Sequence, residues 1–171
     1  MLKEHIAENL EQTFSDFGFV EPNITQLKNA CGVSLRTLYK YYPSKEEMIV
    51  AALEHRHQRY LEFLLDNSPK DGADAIAHIF NRLQEWMKSY APNGCMSSNA
   101  IAAFPEHDVI TQVVRDHKES VREFLGKQSL CENLASELFL LHEGAACAWP
   151  VLGSKSIDAA QLAALKILKE N

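Results

Sequence analysis

With 171 residues, 46% of them hydrophobic and 23% charged, and only seven Gly and six Pro, the chain has the make-up of an ordinary globular protein, which excludes a disordered or fibrous one. Its formal net charge of −6 argues against a polyanionic partner until the distribution is considered. Residues 22–45 hold no Asp or Glu and carry Lys28, Arg36, Lys40 and Lys45, a short basic island in an acidic protein, where a phosphate backbone would be met.

The first twelve residues include Lys3, Glu4, Glu8 and Glu11 and offer no apolar stretch for a secretory signal. The weakly polar stretch 145–152 is interrupted by Pro150 and is far shorter than the roughly 20 apolar residues that cross a bilayer. A cytoplasmic protein with no membrane partner is expected. Four cysteines, Cys31, Cys95, Cys131 and Cys147, include no Cys-x-x-Cys pair, so in a reducing compartment they read most simply as small core hydrophobes.

In chain order, Leu2, Ile6, Leu10, Phe14 and Phe17 form the stripe of a first helix that Gly18 ends. Asn23 with Gln26 has the form of a capping box and opens a short helix turning Ile24, Leu27 and Ala30 inward. Gly32 closes it, and Ser34 caps a second short helix with Leu35, Leu38 and Tyr42 as apolar positions, stopped by Pro43. Ser44 and Glu47 form another capping box and open a long helix carrying Met48, Ile49, Ala52, Leu53, Tyr60, Phe63 and Leu64 as far as Asn67. At about 1.5 Å per residue it exceeds roughly 30 Å.

After the Pro69 and Gly72 break, Ile76, Ile79, Phe80, Leu83 and Trp86 mark the next helix, which Pro92, Asn93 and Gly94 end. A short helix follows over residues 97–104. Val109, Ile110, Val113, Val114, His117, Val121, Phe124 and Leu125 form another. Ser129 with Glu132 is expected to cap a helix reaching Trp149, and Ser156 to open the last, through Leu168. The expected architecture is all-α, with about nine helices: a helix-turn-helix module over 1–45, a connecting long helix over 46–67, and a helical half over 68–171.

Two short helices joined by a glycine turn, with a first helix able to pack across both, present one helix to a major groove. On that helix Leu35, Arg36, Tyr39 and Lys40 can face outward while Leu38 and Tyr42 anchor it. These residues carry a more specific likeness. Ala30-Cys31-Gly32-Val33-Ser34, Thr37-Leu38-Tyr39 and Tyr42-Pro43-Ser44-Lys45-Glu46, with Phe14, Gly18 and Phe19 upstream, resemble the signature of the tetracycline-repressor (TetR) family. The resemblance implies that Thr25, Ser34, Thr37, Tyr39 and Tyr41 contact DNA backbone or base edges and that Lys45 meets a phosphate at a helix start. Arg36 departs from the glycine usual there, and its forked guanidinium suits either guanine or phosphate. Tyr41 and Tyr42 replace the more frequent His-Phe pair.

By the same resemblance residues 68–171 form the dimerisation and effector half. Gly94-Cys95-Met96, Asn99-Ala100 and Glu143-Gly144-Ala145 resemble one subgroup of the family. A homodimer through helices 129–149 and 156–169 is expected, since Gly144, Ala145, Ala146 and Ala148 allow close approach and Leu162, Leu165 and Leu168 offer a stripe. Phe80, Trp86, Met87, Met96, Asn99, Phe104, His117 and His142 are the candidate lining of a pocket for an unidentified small-molecule effector. No catalytic residue, cofactor or metal grouping is expected: His55 and His57 point apart on a helix, and no phosphate loop, Gly-x-Ser-x-Gly or His-Glu-x-x-His supports an enzyme. The reading is a double-stranded-DNA-binding regulator, a homodimeric repressor released from a near-palindromic operator by its effector. A redox regulator using Cys95, Cys131 or Cys147 is the alternative.

Overall fold

The computed structural model describes all 171 residues. They form nine α-helices in the order α1 (Leu2–Phe17), α2 (Ile24–Ala30), α3 (Leu35–Tyr41), α4 (Lys45–Leu65), α5 (Gly72–Tyr90), α6 (Met96–Ala103), α7 (Asp108–Ser129), α8 (Ala135–Leu152) and α9 (Ser154–Glu170), with a single 3-10 turn, Glu132–Leu134, between α7 and α8. The all-α expectation holds. None of the helices is long and apolar enough to cross a membrane.

Local chemistry sets the N-terminal elements. Asn23 and Gln26 make the reciprocal box: the Asn23 side chain accepts from the Gln26 N–H at 3.0 Å, and the Gln26 side chain from the Asn23 N–H at 2.8 Å. Each satisfies a donor that the first turn of α2 leaves open. Gly32 follows α2 at φ +64°, a left-handed conformation that a β-carbon makes costly. Ser34 Oγ then accepts from the Thr37 N–H at 3.0 Å, and Ser44 Oγ from the Glu47 N–H at 3.1 Å, opening α3 and α4.

Contacts divide the chain into two compact units. Met1–Arg59 with Met96–Arg115 form the first, whose core joins Ile6, Leu10 and Phe14 of α1 to Leu27, Leu38, Met48, Ile49 and Leu53, and to Met96, Ala100, Ile110 and Val114. Tyr60–Cys95 with Asp116–Asn171 form the second, around Leu64, Ile76, Ile79, Phe80, Leu83, Trp86, Leu125, Leu138, Ile157 and Ala164. There α9 packs along α8 and α5, and Tyr60, Phe63, Trp86 and Tyr90 stack with ring centroids 4.9–5.9 Å apart. These packing units do not follow the linear divisions at 45/46 and 67/68, because α6 and the first turns of α7 bury their apolar residues with the N-terminal helices.

Three expected boundaries move. The long α4 ends at Leu65, with Asn67 at φ +56° beyond it. Ser129 does not cap a following helix: α7 runs to it, its hydroxyl donates back to the Gly126 carbonyl at 2.8 Å and accepts from the Cys131 N–H at 3.1 Å, and α8 begins only at Ala135. Ser156 lies inside the first turn of α9, its hydroxyl donating to the Gly153 carbonyl at 2.8 Å. Serine hydroxyls bond equally well to a turn that ends and a turn that begins, which is why spacing alone misplaced both.

One glycine is fixed by packing rather than by dihedral. A β-carbon on Gly126 of α7 would lie 2.8 Å from the Ala135 Cβ, so the start of α8 must move to admit it. Gly126→Ala gains just under about 1 kcal/mol in helix propensity and loses about 1–3 kcal/mol to overpacking. Urea unfolding is expected to show a lower midpoint for the variant; an unchanged or raised midpoint contradicts the close contact.

Candidate nucleic-acid interface

A helix of seven residues reveals its role by what it buries. In α3 only Leu38 is fully buried. Ser34, Leu35, Arg36, Tyr39 and Lys40 are exposed, Leu35 at 45% and Tyr39 at 39%, as is Thr25 on α2. An exposed leucine and tyrosine beside Arg36 and Lys40 form a basic, partly apolar face with no carboxylate on α2, α3 or the turn between them. Such a face suits base edges and phosphates together.

Other expected contact residues already have intramolecular work. Thr37 is half-buried, and its hydroxyl lies 2.8 Å from that of Ser34 within the cap. Tyr41 packs against the first core, with Lys40 Nζ 5.8 Å from its ring centroid. Lys45 is half-buried and donates to the Val20 carbonyl at 3.1 Å. Burial pulls its pKa below the ordinary lysine value against the opposing pull of Glu46. It therefore also ties the start of α4 to the loop after α1.

Behind this face α1 and α4 are joined by a buried carboxylate. The Glu11 side chain is 4% exposed and receives His55 Nδ1 at 2.6 Å, Arg56 at 3.0 Å and Arg59 at 2.5 Å. Burial alone would raise its pKa, yet the bonds from Arg59 and His55 and the charges of Arg59 and Arg56 outweigh that and hold it below the usual carboxylate value. An open groove of about 490 Å³ lies elsewhere on the first unit, bounded by Tyr41, Tyr42, Glu46, Glu47, Glu54 and His107 among others. Its three carboxylates disfavour a phosphate inside the groove.

The chain was compared with known proteins. It matches no protein-family model and no curated protein sequence. Solved structures do match over nearly the whole chain. A TetR-family transcriptional regulator from Streptomyces coelicolor superposes with a TM-score of 0.83 at 18% identity, covering 98% of this chain and 89% of that one. The reduced form of NemR from E. coli gives 0.80 at 21% identity, covering 98% of each chain. A TetR transcription regulator from Haloarcula marismortui gives 0.80 at 16%, covering 99% and 97%. The chain has the TetR-regulator fold.

Within the TetR fold the eight candidate effector residues divide between the two units. Met96, Asn99 and Phe104 belong to the first unit, and Phe80, Trp86, Met87, His117 and His142 to the second. Phe80, Trp86, Met87 and Met96 are core side chains, Phe104 packs on the first core, and Asn99 is exposed. Apolar periodicity marks core and pocket alike, so the sequence could not separate them. His142 joins a buried polar network: the Tyr60 hydroxyl lies 2.5 Å from its Nε2, and its Nδ1 is 3.1 Å from Glu143 Oε1. In the expected dimer helices, Ala145 and Ala146 turn into the second core, whereas Leu140, Gly144, Cys147 and Val151 of α8 and Leu162 of α9 are exposed.

Sequence reasoning took Tyr60 only as an apolar position and Glu11 only as a charge near the start, and did not single out Arg56, Arg59 or Lys118. The signal was present: Glu11 occupies the apolar stripe of α1 one turn from Ala7, and Lys118 sits between Val114 and Val121 on α7. A charge at an inward position is bound to a partner or it is not tolerated. Because the folded pKa of Glu11 is lowered, its carboxylate stabilises the fold fully above the ordinary carboxylate range. That contribution is lost as pH falls through the lowered value. Glu11→Gln is therefore expected to cost about 3 kcal/mol at neutral pH, with the gap to wild type narrowing on acidification. Urea unfolding over a pH series checks this, and a gap that stays constant into acid contradicts the assignment.

Proposed function

We propose that the chain is a homodimeric TetR-family transcription regulator that reads a near-palindromic operator with α3, and a repressor that a small-molecule effector releases. The observation that carries the reading is the single buried residue of α3 beneath an exposed face of Leu35, Arg36, Tyr39 and Lys40. The match to solved transcriptional regulators along 96–99% of the chain supports it.

In this reading Arg36 reaches furthest toward base edges, with Tyr39 beside it. Thr25, Lys40, Tyr41 and the capping pair Ser34 and Thr37 fix the helix on the backbone. Lys45 exchanges its bond to the Val20 carbonyl for a phosphate at the start of α4. The exposed α8 residues Leu140, Gly144, Cys147 and Val151 repeat every three or four positions, the spacing of one helix stripe. Together with Leu162 they are the proposed contact with a second copy. Two-fold symmetry then sets the two α3 helices about one turn of DNA apart, roughly 34 Å or somewhat more. The effector acts from residues 68–171 by favouring a spacing that no longer fits successive grooves, and binding linkage requires it to prefer free protein over DNA-bound protein by the same factor.

Incubation of the protein with fragments of its own genome at moderate salt is expected to retain a discrete fragment in a gel-shift; no retention even at low ionic strength rejects the reading. On that fragment Arg36→Ala is expected to change base preference at one position of each half-site, by about 1–3 kcal/mol of discrimination. Lys45→Ala should weaken all sequences alike and reduce the salt slope by about one. Unchanged base preference in Arg36→Ala reassigns it to a phosphate.

A further inference from the structure

The outer surface of α3 carries two stripes side by side. Leu35 and Tyr39 are four residues apart, as are Arg36 and Lys40, so each pair lies along one line of the helix and the basic line runs beside the apolar one. All four side chains are exposed. In the regulator reading, hydrogen bonding to base edges accounts for Arg36 and the Tyr39 hydroxyl, and phosphate contact accounts for Lys40. Leu35 is left without a role, because its side chain has no donor or acceptor.

Packing does not supply that role. The first core and the apolar residues packed on it take Val33, Leu38, Tyr41 and Tyr42 from this stretch and include neither Leu35 nor Tyr39. The side-chain cap of α3 comes from Ser34. A lone exposed leucine is ordinary on a protein surface. Leu35 differs in its setting: a tyrosine one turn along, a line of cations beside it, and no Asp or Glu anywhere in residues 22–45.

That combination selects the chemistry of the partner. The flanking cations call for a polyanion, and in the major groove of DNA the apolar group on a base edge is the C5-methyl of a pyrimidine. Thymine carries it, and 5-methylcytosine carries the same methyl at the same ring position. Leu35 and Tyr39 lie about 6 Å apart along the helix axis, less than two steps of about 3.4 Å along a DNA strand, so one methyl group fits between the two side chains. Burial there removes apolar surface from water on both partners and strips no polar group of its hydration.

We propose that Leu35 and Tyr39 form an apolar cradle for the C5-methyl group of one pyrimidine in each operator half-site, so that the protein distinguishes a methylated pyrimidine from its unmethylated counterpart. The proposal rests on the regulator reading above and deepens it: Arg36 reads a hydrogen-bonding edge, and Leu35 reads a methyl group. With thymine as the source, the methyl is a fixed part of the operator sequence. With 5-methylcytosine as the source, operator affinity follows the methylation state of the DNA.

The test uses the full-length protein and the genomic fragment it retains, rebuilt as synthetic duplexes. In one arm each thymine in turn is replaced by deoxyuridine, which removes the methyl and keeps the base pairing. In the other each cytosine in turn is replaced by 5-methylcytosine, which adds it. Binding is followed by fluorescence anisotropy at one fixed salt concentration. At one position of each half-site the methylated pyrimidine is expected to bind about fourfold more tightly than the unmethylated one, the worth of one buried methyl group. An effect in the uracil arm identifies thymine as the source, and an effect in the cytosine arm identifies 5-methylcytosine. Leu35→Ala, a change at an exposed position that leaves the core intact, should bind the two duplexes alike, whereas Leu35→Met should keep the difference. Equal affinity for methylated and unmethylated duplexes at every position overturns the proposal. So does a methyl effect that survives in Leu35→Ala, since it then arises in the duplex or at another side chain. If no fragment is retained even at low ionic strength, the regulator reading falls and the cradle with it; if a fragment is retained and its methyl groups are ignored, only the cradle falls.

Discussion

A seven-residue helix has no stability of its own in water, since isolated helices shorter than about 12–15 residues barely form. Everything that α3 presents to solvent therefore depends on what holds it from behind. Leu38 is fully buried, contributing about 1.5–3 kcal/mol; Ser34 supplies the missing partner at the N-terminus. The Tyr42 hydroxyl just past the C-terminus donates to the Lys3 carbonyl of α1 at 3.2 Å. In the turn before α3, the Cys31 thiol reaches the Ile6 carbonyl at 3.7 Å. These bonds run between main chain and side chain across α1, so the inner face of the short helix pair is fixed while the outer face stays free to read a ligand.

The same unit uses charge where an apolar residue would have sufficed. Glu11 beside Arg56, Arg59 and His55 is a costly arrangement, because every group in it gives up solvent. It has a geometric consequence that Leu or Met in its place would not have: α1 and α4 are locked in one register, since carboxylate and guanidinium meet only in narrow geometries. Placing α1 relative to α4 also places the start of α4, where Ser44 caps the helix and Lys45 reaches the Val20 carbonyl. The basic face and the ion cluster are thus parts of one rigid arrangement, although they share no atom.

The sequence was most legible where structure is set by neighbours along the chain. Asn23 with Gln26, Gly32, Ser34 and Ser44 with Glu47 each specify a start or a turn within three or four residues, and α2, α3 and the start of α4 could be placed from them. Legibility fell where one residue type serves two local purposes. Ser129 and Ser156 looked like helix starts, yet their hydroxyls turn to the carbonyls of Gly126 and Gly153. It was poorest for partnerships between distant residues. Nothing between Glu11 and Arg56, or between Cys95, Lys118 and Glu143, announces that folding joins them; only their inward positions on otherwise apolar stripes were visible. The candidate effector residues were ambiguous for the opposite reason, since large apolar side chains at helical spacing are what a core requires whether or not a ligand is bound.

The account stands on α3 being the element that meets the double helix, held in place by α1 and by the caps around it. Backbone amide shifts of the isotope-labelled protein, titrated with a short duplex cut from a retained genomic fragment, test this most directly. The account predicts that the largest changes fall on the amides of residues 34–40 and of Lys45, with those of α8 and α9 nearly unmoved. Changes concentrated in α8 and α9, with α3 silent, would contradict it.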